Sequence, residues 1–406
     1  PIWIRFAKSI IQKYKSRLIG RSMKEEVDNT AKQSYRLALL YDFLVVKGGA
    51  EAVSLFIQNN VDSLELCVAS VNGAIFDCKY KVRSILGGRW LESNSFVAKR
   101  SLLALYAFYL KARFVKSYEL VIFSGSYAPF AARFRKGRCN IMYCHTPPRM
   151  FYDLAERYRA SVPRLLRPLF DFIAQCYRKA FLRAVNQMDL IIANSRNVQL
   201  RIDKYWGRDS VVIYPPVNTS AFSWKKQGDY YLSTARVEDY KRVELIVSSF
   251  IVMPEKKLVV ASGGTALNRC RELAKGADNI IFTDWLAPDQ LVDLVGECIA
   301  SIYLPQDEDF GMSPVESMAA GKPVIGVAEG GLMETIVDGE TGLLIRANPD
   351  VNDVCEAVSQ LTAERALTMR QACEKRAMLF DERNFLNSLT DIVESQLSTK
   401  REYEAA

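Results

Sequence analysis

One histidine, His145, is all that 406 residues contain. Without a second imidazole the short Cys139, Cys144, His145 group lacks the ligands for a closed zinc site. Nine cysteines are scattered through the chain with no C-x-x-C pair, which reads as reduced thiols in a cytosolic compartment and not as a disulfide framework. Long apolar runs are missing too. The best, Ser101–Leu110, is hemmed by Arg100 and Lys111 and is too short to span a bilayer. Pro1–Lys24 offers no small-residue cleavage site, so no secretory signal is expected. There is no internal repeat, low-complexity tract, P-loop, G-x-G-x-x-G fingerprint or Ser-His-Asp arrangement, which argues against ATPase, dehydrogenase and hydrolase chemistry.

What is present is an ordinary globular composition, 49% hydrophobic and 25% charged, long enough for two or three domains. Its charge is unevenly placed. Residues 1–220 hold 35 Lys/Arg against 16 Asp/Glu, whereas residues 221–406 hold 19 against 30, so a basic half precedes an acidic one. The basic half calls for an anionic partner. Three stretches mix its cations with apolar residues: Pro1–Lys24, with seven Lys/Arg and no acid, residues 99–116, and residues 157–183. Each could be a helix packed on its own domain; together they favour an anionic membrane surface, with the protein cytoplasmic and peripheral to the membrane's inner face. No recognition module for nucleic acid accompanies the charge, so no nucleic-acid partner is expected.

Short continuous apolar runs alternate with amphipathic stretches. They are Leu37–Tyr41, Leu64–Ala69, Leu120–Ser124, Asn140–Cys144, Asp189–Ala193 and Val211–Tyr214, then Tyr230–Thr234, Lys257–Ala261, Asn279–Thr283, Ala300–Leu304, Pro323–Val327 and Gly342–Leu344. Continuous hydrophobicity suits strands buried on both faces, so each half is expected to be an α/β parallel sheet layered with helices. Pro215-Pro216 and the polar residues after it mark the linker, where the charge also changes sign.

The densest chemistry lies in Asp307–Val327, which begins just after one expected strand. Loops at the carboxyl ends of parallel strands bind ligands. Ser313-Pro314 reads as a helix start with Ser313 as N-cap and Glu316 completing a capping box, and such a helix end is an anion site. Glu308 and Glu316, with seven residues between them in E-D-F-G…E-S-M-A-A-G-K-P-V-I, resemble the E-x7-E signature of the retaining nucleotide-sugar glycosyltransferases of family 4. Arg236 and Lys241 match that family's diphosphate-binding pair, although Ala235 stands where glycine is usual. Lys47–Glu51 is similar to its amino-terminal glycine loop, and Ala193-Asn194-Ser195 and Tyr214–Val217 match further landmarks. The stretch Tyr143–Asp153 is most similar to mannosyltransferases that use GDP-mannose in polysaccharide assembly.

The resemblance implies a GT-B fold, two Rossmann-like domains facing each other across a cleft. It divides the chain into the basic segment 1–35, an acceptor-side domain 36–215, a nucleotide-sugar domain 216–380 and a last helix, 381–406, crossing back. It casts His145, Glu308, Arg236 and Lys241 as catalytic, and Gly48, Gly49, Trp285, Phe310, Gly311, Met312, Ser313 and Glu316 as donor-binding. Glu308 would hold sugar hydroxyls and Glu316 the ribose diol. A lone histidine is usually structural, but His145 follows a strand at its carboxyl end where the family's histidine lines the reaction centre. Asp307-Glu308-Asp309 contains D-x-D, a metal chelator in another glycosyltransferase fold; in the E-x7-E setting the family needs no metal, so neither metal nor cofactor is expected beyond the nucleotide-sugar donor. The acceptor implied is a lipid-linked saccharide. A UDP-sugar transferase of the same fold and an inactive nucleotide-sugar-binding protein are the competing readings.

Overall fold

The computed structural model describes residues 36–45, 48–73, 76, 82–87 and 97–405; the basic segment Pro1–Lys24 and Lys47 lie outside them. Strands β1 (Leu37–Leu44), β2 (Leu64–Val71), β3 (Val82–Ser84), β4 (Leu120–Ser124), β5 (Cys139–Cys144), β6 (Leu190–Ala193) and β7 (Val211–Val212) form one sheet in the order β3-β2-β1-β4-β5-β6-β7. A second sheet joins β8 (Tyr230–Ser233), β9 (Lys257–Val260), β10 (Ile280–Phe282), β11 (Ser301–Tyr303), β12 (Val324–Val327) and β13 (Gly342–Ile345) in the order β10-β9-β8-β11-β12-β13. Every pairing is parallel. Two helix-layered parallel sheets are the architecture expected from the sequence.

The expected runs all became strands because their residues are covered on both faces: β4, β5 and β12 are buried at every position. Their ends differ by a few residues; β1 continues to Leu44 and β7 stops at Val212. Sequence reading missed β3, a three-residue strand at the sheet edge whose side chains are partly or fully exposed. An edge strand pairs on one side only and needs no continuous apolar run.

Both sheets reverse their winding beside a central strand, at β1/β4 in the first and β8/β11 in the second. Such switch points leave a crevice at the carboxyl ends of the two strands, because the flanking connections diverge to opposite faces. The lobes are joined twice. The Val217 N–H donates to the Phe380 carbonyl (3.1 Å) and the Val217 carbonyl accepts from the Glu382 N–H (3.1 Å), so outgoing and returning segments pair side by side. Tyr214, Phe310 and Phe380 pack there with ring centroids 5.1–5.5 Å apart. The last helix, Glu382–Ala405, then lays Phe385 edge-on against Phe56 (6.0 Å) and Tyr143 (5.8 Å) of the first lobe. Residues 36–406 hold together as one unit.

Two segments of the first lobe turn apolar side chains outward. Leu102, Leu105, Tyr106, Tyr109 and Leu110 are exposed along Val97–Lys111, and Tyr158, Leu165, Leu166, Leu169, Phe172 and Ile173 on and around the Arg167–Val185 helix. Among the described residues, no helix is long and apolar enough to cross a membrane.

Candidate active site

The chain leaves β8 through a turn carrying Arg236, makes one turn of 3-10 helix over Asp239–Lys241, and enters the Val243–Ile251 helix through Arg242 in a left-handed conformation (φ 53°). The neighbouring strand β11 ends at Tyr303 and feeds the loop that carries Glu308. The switch point thus faces two loops toward each other. Lys241 Nζ pairs with the Glu308 carboxylate and donates to the Tyr303 hydroxyl (2.9 Å), which itself donates to Glu308 Oε2 (3.1 Å). Burial opposes the charge on Lys241, but Tyr303 and Glu308 outweigh it and raise its pKa. The ammonium expected on a diphosphate and the carboxylate expected on a sugar therefore meet each other, and a ligand between them must share both.

The Glu308 loop is shaped by close approach. Its carbonyl accepts from the Gly331 N–H (2.7 Å), and a Cβ on Gly331 would lie 2.4 Å from the Phe310 Cα, so only glycine lets the two backbones touch. The Phe310 ring is buried in the aromatic group with Tyr214 and Phe380, which leaves its backbone, not its side chain, for a donor.

One expectation is corrected at the next residue. The helix runs Met312–Ala319 with Gly311 as N-cap at φ 90°, so Ser313 lies inside the first turn and caps nothing. Glycine reaches this left-handed φ without a side-chain clash, which starts the helix early, and Pro314 is tolerated because first-turn amides have no intrahelical partner. The amides of Met312 and Ser313 still open the helix. Glu316 has no hydrogen-bond or ionic partner among the described residues, and burial alone raises its pKa to about 7.

From the first lobe, Gly48 is the N-cap of the Gly49–Asn60 helix, and a Cβ on Gly49 would come within 3.3 Å of the Met312 sulfur, so this glycine turn touches the Gly311–Ser313 turn. The Glu51 carboxylate folds back over Gly48. Burial raises its pKa, while its own amide, the Tyr41 hydroxyl and then Arg236 across the lobes act against the rise. An acid thus stands where the resemblance places donor phosphates, facing the cation expected to bind them.

His145 follows β5 with its ring near those of Tyr143 (5.1 Å) and Tyr41 (6.4 Å). Burial lowers its pKa to about 4, so the imidazole is neutral, and its buried Nε2 has no hydrogen-bond partner among the described residues. A buried ring nitrogen without a partner is costly unless a ligand supplies one. Trp285 lies on the loop after β10, 68% exposed, its indole over the Gly263 backbone. Asp307 and Asp309, the ends of D-x-D, bind guanidinium groups: Arg149 and Arg201 hold Asp307 (3.0 and 2.6 Å), and Arg201 holds Asp309 (2.6 Å). Sequence reading gave no role to Tyr303, Arg149, Arg201 or Glu51; these are partners across lobes or strands, and no spacing along the chain announces them.

Residues 218–379 match the family described as Glycosyl transferases group 1. The chain is 28% identical over 269 residues to the alpha-1,3/1,6-mannosyltransferase ALG2 of Dictyostelium discoideum, a match taking in 54% of this chain and 61% of that one. It is 30% identical over 153 residues to a D-inositol 3-phosphate glycosyltransferase of Mycobacterium sp. (strain KMS), covering 36% and 35% of the two chains. These alignments span less than two thirds of either relative. In structure, 89% of the chain superimposes on 99% of sucrose-phosphate synthase from Thermosynechococcus elongatus with a TM-score of 0.73 at 14% identity, and the fold is GT-B.

Proposed function

We propose that this chain, whose residues 218–379 are a glycosyl transferases group 1 domain, is a retaining hexosyltransferase that moves mannose from GDP-mannose to a hydroxyl of a polyprenyl-diphosphate-linked saccharide. The observation that carries the proposal is the Lys241–Tyr303–Glu308 cluster at the switch point of that domain, on the loop that leads into the Gly311–Ser313 turn, which Gly49 of the first lobe meets. The similarity to ALG2 mannosyltransferases supports mannose as the sugar.

In this reading Lys241 and Arg236 stabilise the leaving diphosphate, as point charge and fork. Each preorganised donor of this kind contributes about 3–4 kcal/mol to the transition state. Glu308, partnered by Lys241 and Tyr303, receives hydroxyls of the hexose, and the unpartnered Glu316 receives the ribose diol. His145, being neutral, offers Nε2 to the donor sugar without adding charge. With no enzyme nucleophile assigned, the acceptor oxygen attacks the anomeric carbon from the face the phosphate leaves, and the departing phosphate oxygen takes the acceptor proton. The reading requires no metal at D-x-D, since Asp307 and Asp309 are already matched by Arg149 and Arg201.

The outward apolar side chains of residues 158–173, set among Arg157, Arg159, Arg164 and Arg167, would seat the first lobe on an anionic bilayer and bring a lipid-linked acceptor to the cleft. A thermal-shift and nucleotide-release screen against GDP-mannose, UDP-glucose and UDP-galactose tests the reading. GDP-mannose should stabilise the protein most and release GDP; selective response to a UDP-sugar would replace the donor, and binding without release would replace the enzyme by a binding protein.

A further inference from the structure

We propose that Arg201 is the positioning residue for Glu308: it grips the two aspartates flanking Glu308 and ties their loop to the residue after His145. The proposal rests on the reading of Glu308 as the carboxylate that faces the donor sugar. Arg201 lies on the Arg196–Trp206 helix of the first lobe with its side chain 9% exposed. One terminal nitrogen donates to Asp309 Oδ1 (2.6 Å) and to the Thr146 hydroxyl (3.0 Å); the other donates to Asp307 Oδ1 (2.6 Å). Arg149 bonds Asp307 a second time, at Oδ2 (3.0 Å) and at the carbonyl (3.1 Å). The first lobe also fixes the backbone between them: the Asn197 side-chain Nδ2 donates to the Glu308 carbonyl (3.0 Å) and the Ser195 hydroxyl to the Asp309 carbonyl (2.6 Å).

The outcome is directional. Asp307 and Asp309 turn into the first lobe, and Glu308 between them turns into the second, onto Lys241 and Tyr303. Mere adhesion of the lobes would not need this chemistry, because burying a guanidinium and two carboxylates carries a large desolvation cost that apolar packing avoids. What a planar fork adds is a fixed geometry for two acceptors at once. Asp307 stands at φ 50°, a left-handed conformation that a residue with a side chain keeps only where its surroundings over-determine it. The fork supplies that determination on the residue next to Glu308.

The test uses the full chain with R201Q, R201K, E308Q and R201Q/E308Q. It measures GDP release from GDP-mannose, GDP binding by calorimetry and amide exchange at Gly331, whose N–H bonds the Glu308 carbonyl. R201Q should lower kcat by about 30–100-fold, the range expected for a misplaced group, while GDP, which lacks the hexose that Glu308 would hold, binds within about threefold of wild type. R201K should recover little of the loss, since a point charge cannot span both aspartates. The double variant should be no slower than E308Q alone, because Arg201 acts through Glu308. Additive losses, or wild-type kcat in R201Q, overturn the proposal. If R201Q does not fold, D309N removes one arm of the fork and carries the same comparison. Wild-type turnover in E308Q would sink the donor reading instead; the positioning claim then stands or falls on Gly331, where R201Q should speed exchange about tenfold and unchanged exchange refutes it.

Discussion

The two lobes share one construction, a parallel sheet with its switch point beside a central strand, yet they spend their surfaces differently. In the second lobe the exposed large apolar residues, such as Val252, Leu273, Ile281 and Met333, are scattered, and the ionic chemistry gathers at the β8/β11 edge. In the first most of them fall into two groups, 102–110 and 158–173, with Leu165 94% and Phe172 63% exposed, in the half where Lys/Arg outnumber Asp/Glu 35 to 16. Scattered apolar residues are normal on any surface, whereas grouped ones mark a partner. The same architecture therefore carries two kinds of surface: the second lobe holds the Lys241–Glu308 pair, and the first exposes two apolar groups.

The comparison can be broken in four ways. The largest effect should come from the seam. Phe385 is buried against Phe56 and Tyr143 of the first lobe, so Phe385→Ala should lower unfolding free energy by about 3–5 kcal/mol in chemical denaturation; a change below about 1 kcal/mol would mean the last helix does not hold the lobes. Next, Lys241→Ala should cut nucleotide release from the sugar donor by about 100-fold with the fold intact by circular dichroism, whereas wild-type turnover would remove the second lobe's claim to the chemistry. The paired change Leu165→Ser, Phe172→Ser should weaken sedimentation with anionic vesicles at least about tenfold, with nucleotide binding unchanged; undiminished, salt-insensitive association would erase the contrast between the lobes.

The smallest effect concerns pH. Burial raises Glu316 to about 7, and a ribose diol donates hydrogen bonds to its ionised form. Donor affinity should therefore be full above about pH 7 and fall up to tenfold per unit below it, as protonation removes the acceptor. Calorimetry on Glu316→Gln should lose this dependence. A wild-type affinity flat between pH 5.5 and 8 would mean that Glu316 does not meet the donor as a carboxylate.

Much of this was readable because the information is local. A strand buried on both faces must be apolar throughout, so β4, β5 and β12 declare themselves, while β3, exposed at an edge, does not. The Glu308–Glu316 spacing lies within a single loop and helix and was equally plain. The helix start was misjudged by two residues because Ser313 is a good N-cap by type, but Gly311, pressed against Leu332 at φ 90°, turns the chain first. The resemblance casts Phe310 as a donor contact; its ring is drawn between Tyr214 and Phe380 at the crossing of the lobes, which leaves only its backbone for that role.

By itself, then, the sequence determined the two parallel sheets and the loops that carry charge at the sheet edges, because hydrophobic continuity and turn chemistry act over a few residues. Only the tertiary structure decided who meets whom. It paired Lys241 with Glu308 across 67 positions and Arg201 with Asp307 across 106, and it left Glu316 without a counter-charge among the described residues. Electrostatic partners are chosen by distance in space, and that distance exists only once two strands or two lobes have packed.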